Sequence, residues 1–233
     1  MFLNNFYQDL DGTIQVSREQ ASDFAKSIAG DFNPIHDIDA KRFCVPGDLL
    51  FALVLNKYGI SQHMHFTFSG MVGDDVELLF PEKTDADIVI RDSADKAYLS
   101  IEHSGDNNPN PDLIENLSRR YVEFSGQTFP HILVPLMAEH NVMVNPARPL
   151  VIYESMTINI DQLDISEPEL TLTESKLSVE GKRGSVSLKF SVSDNGKIVG
   201  SGEKTMVMSG LREFEQAAID QLVNDYAAHK RSY

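Results

Sequence analysis

The stretch "VPGDLLFALVLNKYG", residues 45 to 59, constrains the fold more than any other part of the chain. Leu49 to Leu55 is apolar on every side of a helical projection. A helix with one apolar stripe can lie on a surface, but one that is apolar all round must be wrapped by other structure. The run is far shorter than the ~20 residues that cross a bilayer. The wrapping therefore has to come from the protein itself. With 233 residues, 42% of them hydrophobic, the chain is long enough to supply it.

The segments that follow have the pattern to do so. "HMHFTFSG" (63–70), "VELLF" (76–80), "ADIVIRD" (86–92) and "KAYLSIEH" (96–103) read as strands, several alternating apolar and polar residues as half-buried strands do. "SGDNNPNPD", Ser104 to Asp112, is rich in Gly, Pro and Asn and lacks apolar periodicity, so it reads as a connector. It divides the chain into residues 1–104 and 112–233. The second part repeats the theme. "FPHILVPLMAEHN" (129–141) is an apolar helix candidate with a kink expected at Pro135, and strand-like runs at 150–160, 170–181, 184–194 and 198–208 follow it. Asn195-Gly196 marks a hairpin between the last two. A closing helix is expected over 211–230, with Phe214, Ala218, Leu222 and Tyr226 on one face. Each half thus places one buried helix before an antiparallel run. The expected class is α+β, a tandem hot-dog in which each helix is wrapped by a curved antiparallel sheet and the two sheets abut. An undivided α+β fold is the alternative, since no residue-level repeat links the halves.

Charge narrows the function. A formal net charge of −15 repels phosphate backbones and anionic lipid, so neither nucleic acid nor a membrane surface is expected as a partner. The single cysteine, Cys44, rules out an intrachain disulfide and fits a reducing cytoplasm. "MFLNNFYQDLDG" has neither a basic start nor a long apolar segment, so no secretory signal is expected there.

The most informative polar stretch lies between the first helix and the buried one. "VSREQASDFAKSIAG" has Ser17 as N-cap, Gln20 in capping-box register, an apolar stripe of Ala21, Phe24, Ala25 and Ile28, and Gly30 as its stop. "GDFNPIH" follows, residues 30 to 36. A carboxylate and an imidazole sharing one water can exchange protons near neutral pH, the requirement of general acid–base chemistry. Pro34 fixes its own φ and pushes Asn33 toward an extended conformation, which stiffens the loop between Asp31 and His36. Gly47, at the mouth of the buried helix, offers an N–H with no side chain in the way. The plainer reading is a helix stop followed by a turn, since Gly-Asp and Asn-Pro are common turn pairs.

Gly30, Asp31, Asn33, Pro34 and His36 fill the fixed positions of the G-D-x-N-P-x-H signature of the MaoC-like, (R)-specific enoyl-CoA hydratases, and the segment resembles that family. The preceding "TIQVSREQASDFAKSIAG" and the following "VPGDLLFAL" are similar to the helix before that signature and to the family's central helix. The resemblance implies a hot-dog fold and addition of water to a 2-enoyl thioester, giving a 3-hydroxyacyl thioester. It casts Asp31 and His36 as the acid/base pair, Asn33 as the brace of their loop and Gly47 as the donor to the thioester oxygen. Lys41 and Arg42 are candidates to meet the phosphates of CoA, and Pro46 to border the substrate. No cofactor and no metal are expected, the partner is an acyl-CoA thioester, and a homodimer is left open. The chain departs from the family in one place: His36 and Gly47 are eleven positions apart, without the relatives' longer spacer and its Gly-Phe pair, and Pro46 replaces a histidine. The signature also lies in the first half, whereas double hot-dog hydratases tend to carry it in the later one.

Other residues compete for attention. His63 and His65 share a strand face, as in some metal sites, but no third ligand is nearby in sequence. His103, His131 and His140 are isolated. Cys44 lies between the motif and the helix, where a catalytic thiol or a small buried hydrophobe are both open. Arg119 and Arg120 form a rival phosphate patch. A non-catalytic acyl-thioester-binding protein and an acyl-CoA thioesterase are the alternatives to a hydratase.

Overall fold

Pro46 caps helix α2, Gly47–Tyr58, with an extended ψ, and Gly59 ends it at φ 82°. Every residue from Asp48 to Leu55 is buried. A helix without a polar side has nowhere else to go, since burying each leucine is worth about 1.5–3 kcal/mol. The computed structural model describes residues 2–82 and 87–233. The strand expected over 86–92 thus begins one residue outside the described part.

The wrapping is a ten-stranded sheet. Its first side comprises β1 (Gln8–Leu10), β2 (Thr13–Gln15), β3 (Ile60–Phe68), β4 (Leu78–Leu79), β5 (Ile88–Arg91) and β6 (Ala97–Asn108). A two-stranded ladder is formed by β7 (Val142–Met143) and β12 (Arg212–Glu213). The second side of the large sheet comprises β8 (Val151–Ile160), β9 (Pro168–Glu180), β10 (Arg183–Asp194) and β11 (Lys197–Ser209). The order is β1-β2-β4-β5-β6-β3-β8-β11-β10-β9, antiparallel throughout. β3 and β8 join the two sides in a register that sets Phe66 opposite Met156. Asn195 and Gly196, at φ 50° and 78°, make the tight turn between β10 and β11. The fold is a tandem hot-dog: inward side chains of β3, β5, β6 and β8, such as Phe66, Ile90, Ile101 and Ile158, share one core with α2.

Helix α1, Arg18–Asp23, carries the complete capping box of Ser17 and Gln20 and runs on into a wider π turn, Phe24–Ala29, that stops at Gly30. The second half departs from expectation. Its wrapped helix is α3, Pro111–Gly126, packed against α2 through Phe51 and Tyr121, whose ring centroids are 4.5 Å apart. Asn110 caps it by accepting from the Asp112 N–H, and Pro111 sits in its first turn, where a missing N–H costs nothing. The connector is correspondingly short, because Ser104–Asn108 continue β6. The segment expected as one helix over 129–141 is two short ones, α4 (Thr128–His131) and α5 (Leu133–Glu139). They part at Ile132, φ −110° and ψ −49°, and the backbone is also extended inside α4 at Phe129, φ −106° and ψ 134°; neither break is at Pro135. Pro135 lies in the first turn of α5, where proline fits without a kink.

The closing helix, α6 (Gln216–Ser232), begins five residues later than its pattern suggests because Arg212–Glu213 pair with β7. Its apolar face, with Phe214 just ahead of it, covers a second core built from α5, β10 and β11. His63 and His65 sit on the seam between the two sides, bonded to Asn159 and Thr157 across it. Among the described residues no group of three His, Cys, Asp or Glu side chains is placed to hold a metal, and no helix is long and apolar enough to cross a membrane.

Candidate functional site

The loop after the π turn is held by its own backbone donors. The Asn33 N–H donates to Asp31 Oδ1 at 2.9 Å, and the Ile35 N–H donates to Asn33 Oδ1 at 3.2 Å. Two successive side-chain turns of this kind stiffen a loop as a backbone turn would. Pro34–His36 form a single 3₁₀ turn, in which the His36 N–H donates to Asn33 O.

His36 is nearly enclosed and Asp31 about a quarter exposed, at 11% and 27% for their side chains. His36 Nδ1 lies 2.6 Å from Cys44 O. A carbonyl only accepts, so Nδ1 carries the proton and Nε2 of the neutral ring presents its lone pair. That Nε2 lies 3.7 Å from Asp31 Oδ2, too far for a direct hydrogen bond. The two side chains converge, then, without binding each other.

Both line a cavity of about 590 Å³ between the two halves. Pro46, Gly47 and Asp48 bring the start of α2 to its wall. The amides of Gly47 and Asp48 donate to no described residue, as the first turn of a helix leaves them. Tyr153 and Phe68 stack at 4.3 Å and lie close over Gly47: a Cβ there would be 2.8 Å from Tyr153 Cδ1. From the second half come Ser125, Thr128, Leu133, Met137, Lys204 and Met206. Lys41 and Arg42 are exposed on the turn between His36 and Cys44 and are not part of the wall. Arg18 staples that turn, donating to Ile38 O and Ala40 O while pairing with Asp74. Arg119 and Arg120 pair on their own helix with Glu115 and Glu123.

Residues distant in sequence complete the wall. From α6, Leu222, Asp225, Tyr226 and His229 face the cavity. The Tyr226 hydroxyl donates to Gly30 O and accepts from the Phe32 N–H, and the Phe32 ring meets Tyr226, His229 and Tyr233 edge-on. The 211–230 pattern puts Tyr226 on the apolar face of the helix, and nothing in it points to this contact. Where α3 ends, Gly126 lies directly against the π turn, and a Cβ on it would be 1.8 Å from Ala29 O. Gly126→Ala must therefore push α3 from the turn that carries Asp31. A loss of about 1–3 kcal/mol is expected in urea denaturation, the usual cost of overpacking.

Electrostatics separate the acidic and thiol groups. Burial pushes the Cys44 thiol up to about 11. The thiolate is the reactive form, so at pH 8 alkylation of Cys44 by iodoacetamide should run about a hundredfold slower than that of a free cysteine at about 8.5. A mass-spectrometric time course checks this, and equal rates would revive a catalytic thiol. Burial also raises the carboxyl of Asp48, against the opposing influence of Lys204 and the Ser125 hydroxyl. Ser125 Oγ donates to Asp48 Oδ2 at 2.6 Å and accepts from Lys204 Nζ, so the three form one chain across the two halves.

A family model described as protein of unknown function, DUF3581, matches residues 1–217. No curated protein matches the chain. Similar solved structures include a conserved protein of unknown function with hot dog fold from Alicyclobacillus acidocaldarius, 7% identical, with 90% of this chain and 98% of that one covered and a TM-score of 0.46. The acyl-CoA thioesterase II TesB2 from Mycobacterium marinum is 10% identical, with coverages of 90% and 96% and a TM-score of 0.42. A MaoC-like dehydratase is 10% identical, with coverages of 88% and 98% and a TM-score of 0.44. At this distance they assign no activity to the chain.

Proposed function

Since the chain belongs to the DUF3581 family, whose description assigns no reaction, we propose a function from its own site: hydration of a 2-enoyl thioester, an acyl-CoA, in the cavity between the halves. One observation carries this reading. Asp31 Oδ2 and His36 Nε2, 3.7 Å apart on the cavity wall, are spaced to hold one water between them beside the start of α2. A lone pair on Nε2 takes a proton from that water as its oxygen adds to the β-carbon, and the pair returns a proton to the α-carbon. The free amides of Gly47 and Asp48 are the donors available to the thioester oxygen as it gains charge. Asn33 holds Asp31 in place, and Pro46 borders the acyl group. To Lys41 and Arg42, exposed outside the wall, we assign the CoA phosphates, and to the units 1–104 and 112–233 the two sides of the site.

A second reading is acyl-thioester binding without turnover. It draws on the Phe68–Tyr153 pair, which crowds the Cα of Gly47 where a thioester oxygen would meet its donor. One experiment separates the two. Purified protein is mixed with crotonyl-CoA and longer 2-enoyl-CoAs, and absorbance of the conjugated thioester is followed while binding is measured by calorimetry. Loss of the band supports hydration, and binding without loss supports the second reading. Release of free thiol, or no binding at any chain length, overturns both.

A further inference from the structure

The cavity contains a second polar centre, of side chains that the proposed hydration does not use. Asp48 opens α2, Ser125 closes α3 and Lys204 lies on β11, so each comes from a different element. All three are buried, Asp48 at 7%, Ser125 at 4% and Lys204 at 5% exposure, and all three line the cavity. Their mutual bonds leave capacity over. An ammonium has three donors. Lys204 gives one to Ser125 Oγ and faces the Tyr153 ring, its Nζ 4.1 Å from the centroid, so one donor lacks an acceptor among the described residues. Asp48 Oδ2 accepts from Ser125, while its buried Oδ1 has no partner among the described residues. A buried donor and a buried acceptor are thus left unfilled at one polar centre in an otherwise apolar wall of Leu133, Met137, Val144 and Met206.

The chemistry of what would fill them is restrictive. A plain methylene leaves both groups unsatisfied, each at the cost of an unmade buried hydrogen bond. A keto oxygen accepts from Lys204 but gives nothing to Asp48. A carboxylate meets the charge of Asp48, and an ammonium that of Lys204. A hydroxyl both accepts and donates. We propose that the acyl chain bound here carries a hydroxyl group of its own, other than the one hydration adds, with Lys204 donating to it and Asp48 Oδ1 accepting from it. The inference rests on the acyl-thioester reading and narrows its substrate class to hydroxylated acyl chains.

The test is a binding ladder read by calorimetry on the full chain. Octanoyl-CoA is compared with a series of octanoyl-CoAs bearing one hydroxyl at successive positions from the fourth carbon to the terminal one. At least one member should bind the wild type about tenfold tighter than octanoyl-CoA, as expected for a hydrogen bond to a charged group. That ratio should fall to about one in Lys204→Met and in the charge-free pair Asp48→Asn/Lys204→Met, whichever of them folds. Because the comparison is internal to each protein, a general loss of affinity does not mimic it. Equal or weaker binding of every hydroxylated member to the wild type overturns the inference while leaving acyl-thioester binding intact. So does a preference that survives removal of Lys204. Failure of all members and of octanoyl-CoA to bind overturns the reading beneath it.

Discussion

Asp31→Asn should abolish hydration of whichever 2-enoyl-CoA the wild type converts, with a fall in kcat of at least about 10²–10⁴-fold. The substitution is chosen for what it spares. An asparagine Oδ1 can still accept from the Asn33 N–H, the bond that shapes the loop at 2.9 Å, so the loop keeps its form. What is lost is the negative charge beside His36 Nε2 and the ability to carry a proton. The effect belongs on kcat, because in the proposed reaction Asp31 meets the water and not the acyl chain, and KM should move little. Stopped-flow absorbance of the conjugated thioester gives both parameters, and thermal melting shows that the fold survives. A variant that keeps more than a tenth of the wild-type kcat would remove Asp31 from the proton transfers.

The second large effect is on stability. Lys204→Met strands the buried carboxylate of Asp48, whose charge Lys204 balances through Ser125. Removing one member of such a pair typically costs about 3–5 kcal/mol, roughly 6–20 °C in Tm for a chain of this size. The sign of the pH dependence follows from burial. Asp48 is raised in the folded state, so its contribution to stability is fully present below the ordinary carboxylate range and is lost as pH rises through the raised value. Without Lys204 that value rises further. The deficit in Lys204→Met should therefore be largest near neutrality and shrink on acidification, and Asp48→Asn/Lys204→Met should recover much of it at pH 7. Denaturant melts across pH decide the matter. A single variant as stable as the wild type at pH 7 would show that the pair contributes no net attraction.

The amino-acid order alone determined the local features. An all-round apolar run from Leu49 to Leu55 makes a wrapped helix unavoidable, alternation marks the long strands, and Asn195-Gly196 closes a hairpin by positive φ. The capping box at Ser17 and the turn residues from Gly30 to Pro34 are equally local, which is why the loop carrying Asp31 and His36 was legible. Helix α3 was missed though its signals were present: Asn110 and Pro111 at its start, then Leu113, Ile114, Leu117, Tyr121 and Val122 along one side. The Gly, Pro and Asn around that start read as punctuation, and Asn110 and Pro111 among them are also its cap and first turn.

Only the tertiary structure could decide the rest of the site. Ser125 and Lys204 are ordinary residues of a helix and a strand, and nothing local marks them as partners of Asp48. Tyr226 reaches the Gly30–Phe32 backbone from the far end of the chain, and the cavity exists because two half-sheets meet along β3 and β8. Short-range propensities report on what a segment does by itself. Contacts separated by scores of residues depend on how whole elements pack, and burial and charge pairing are settled there.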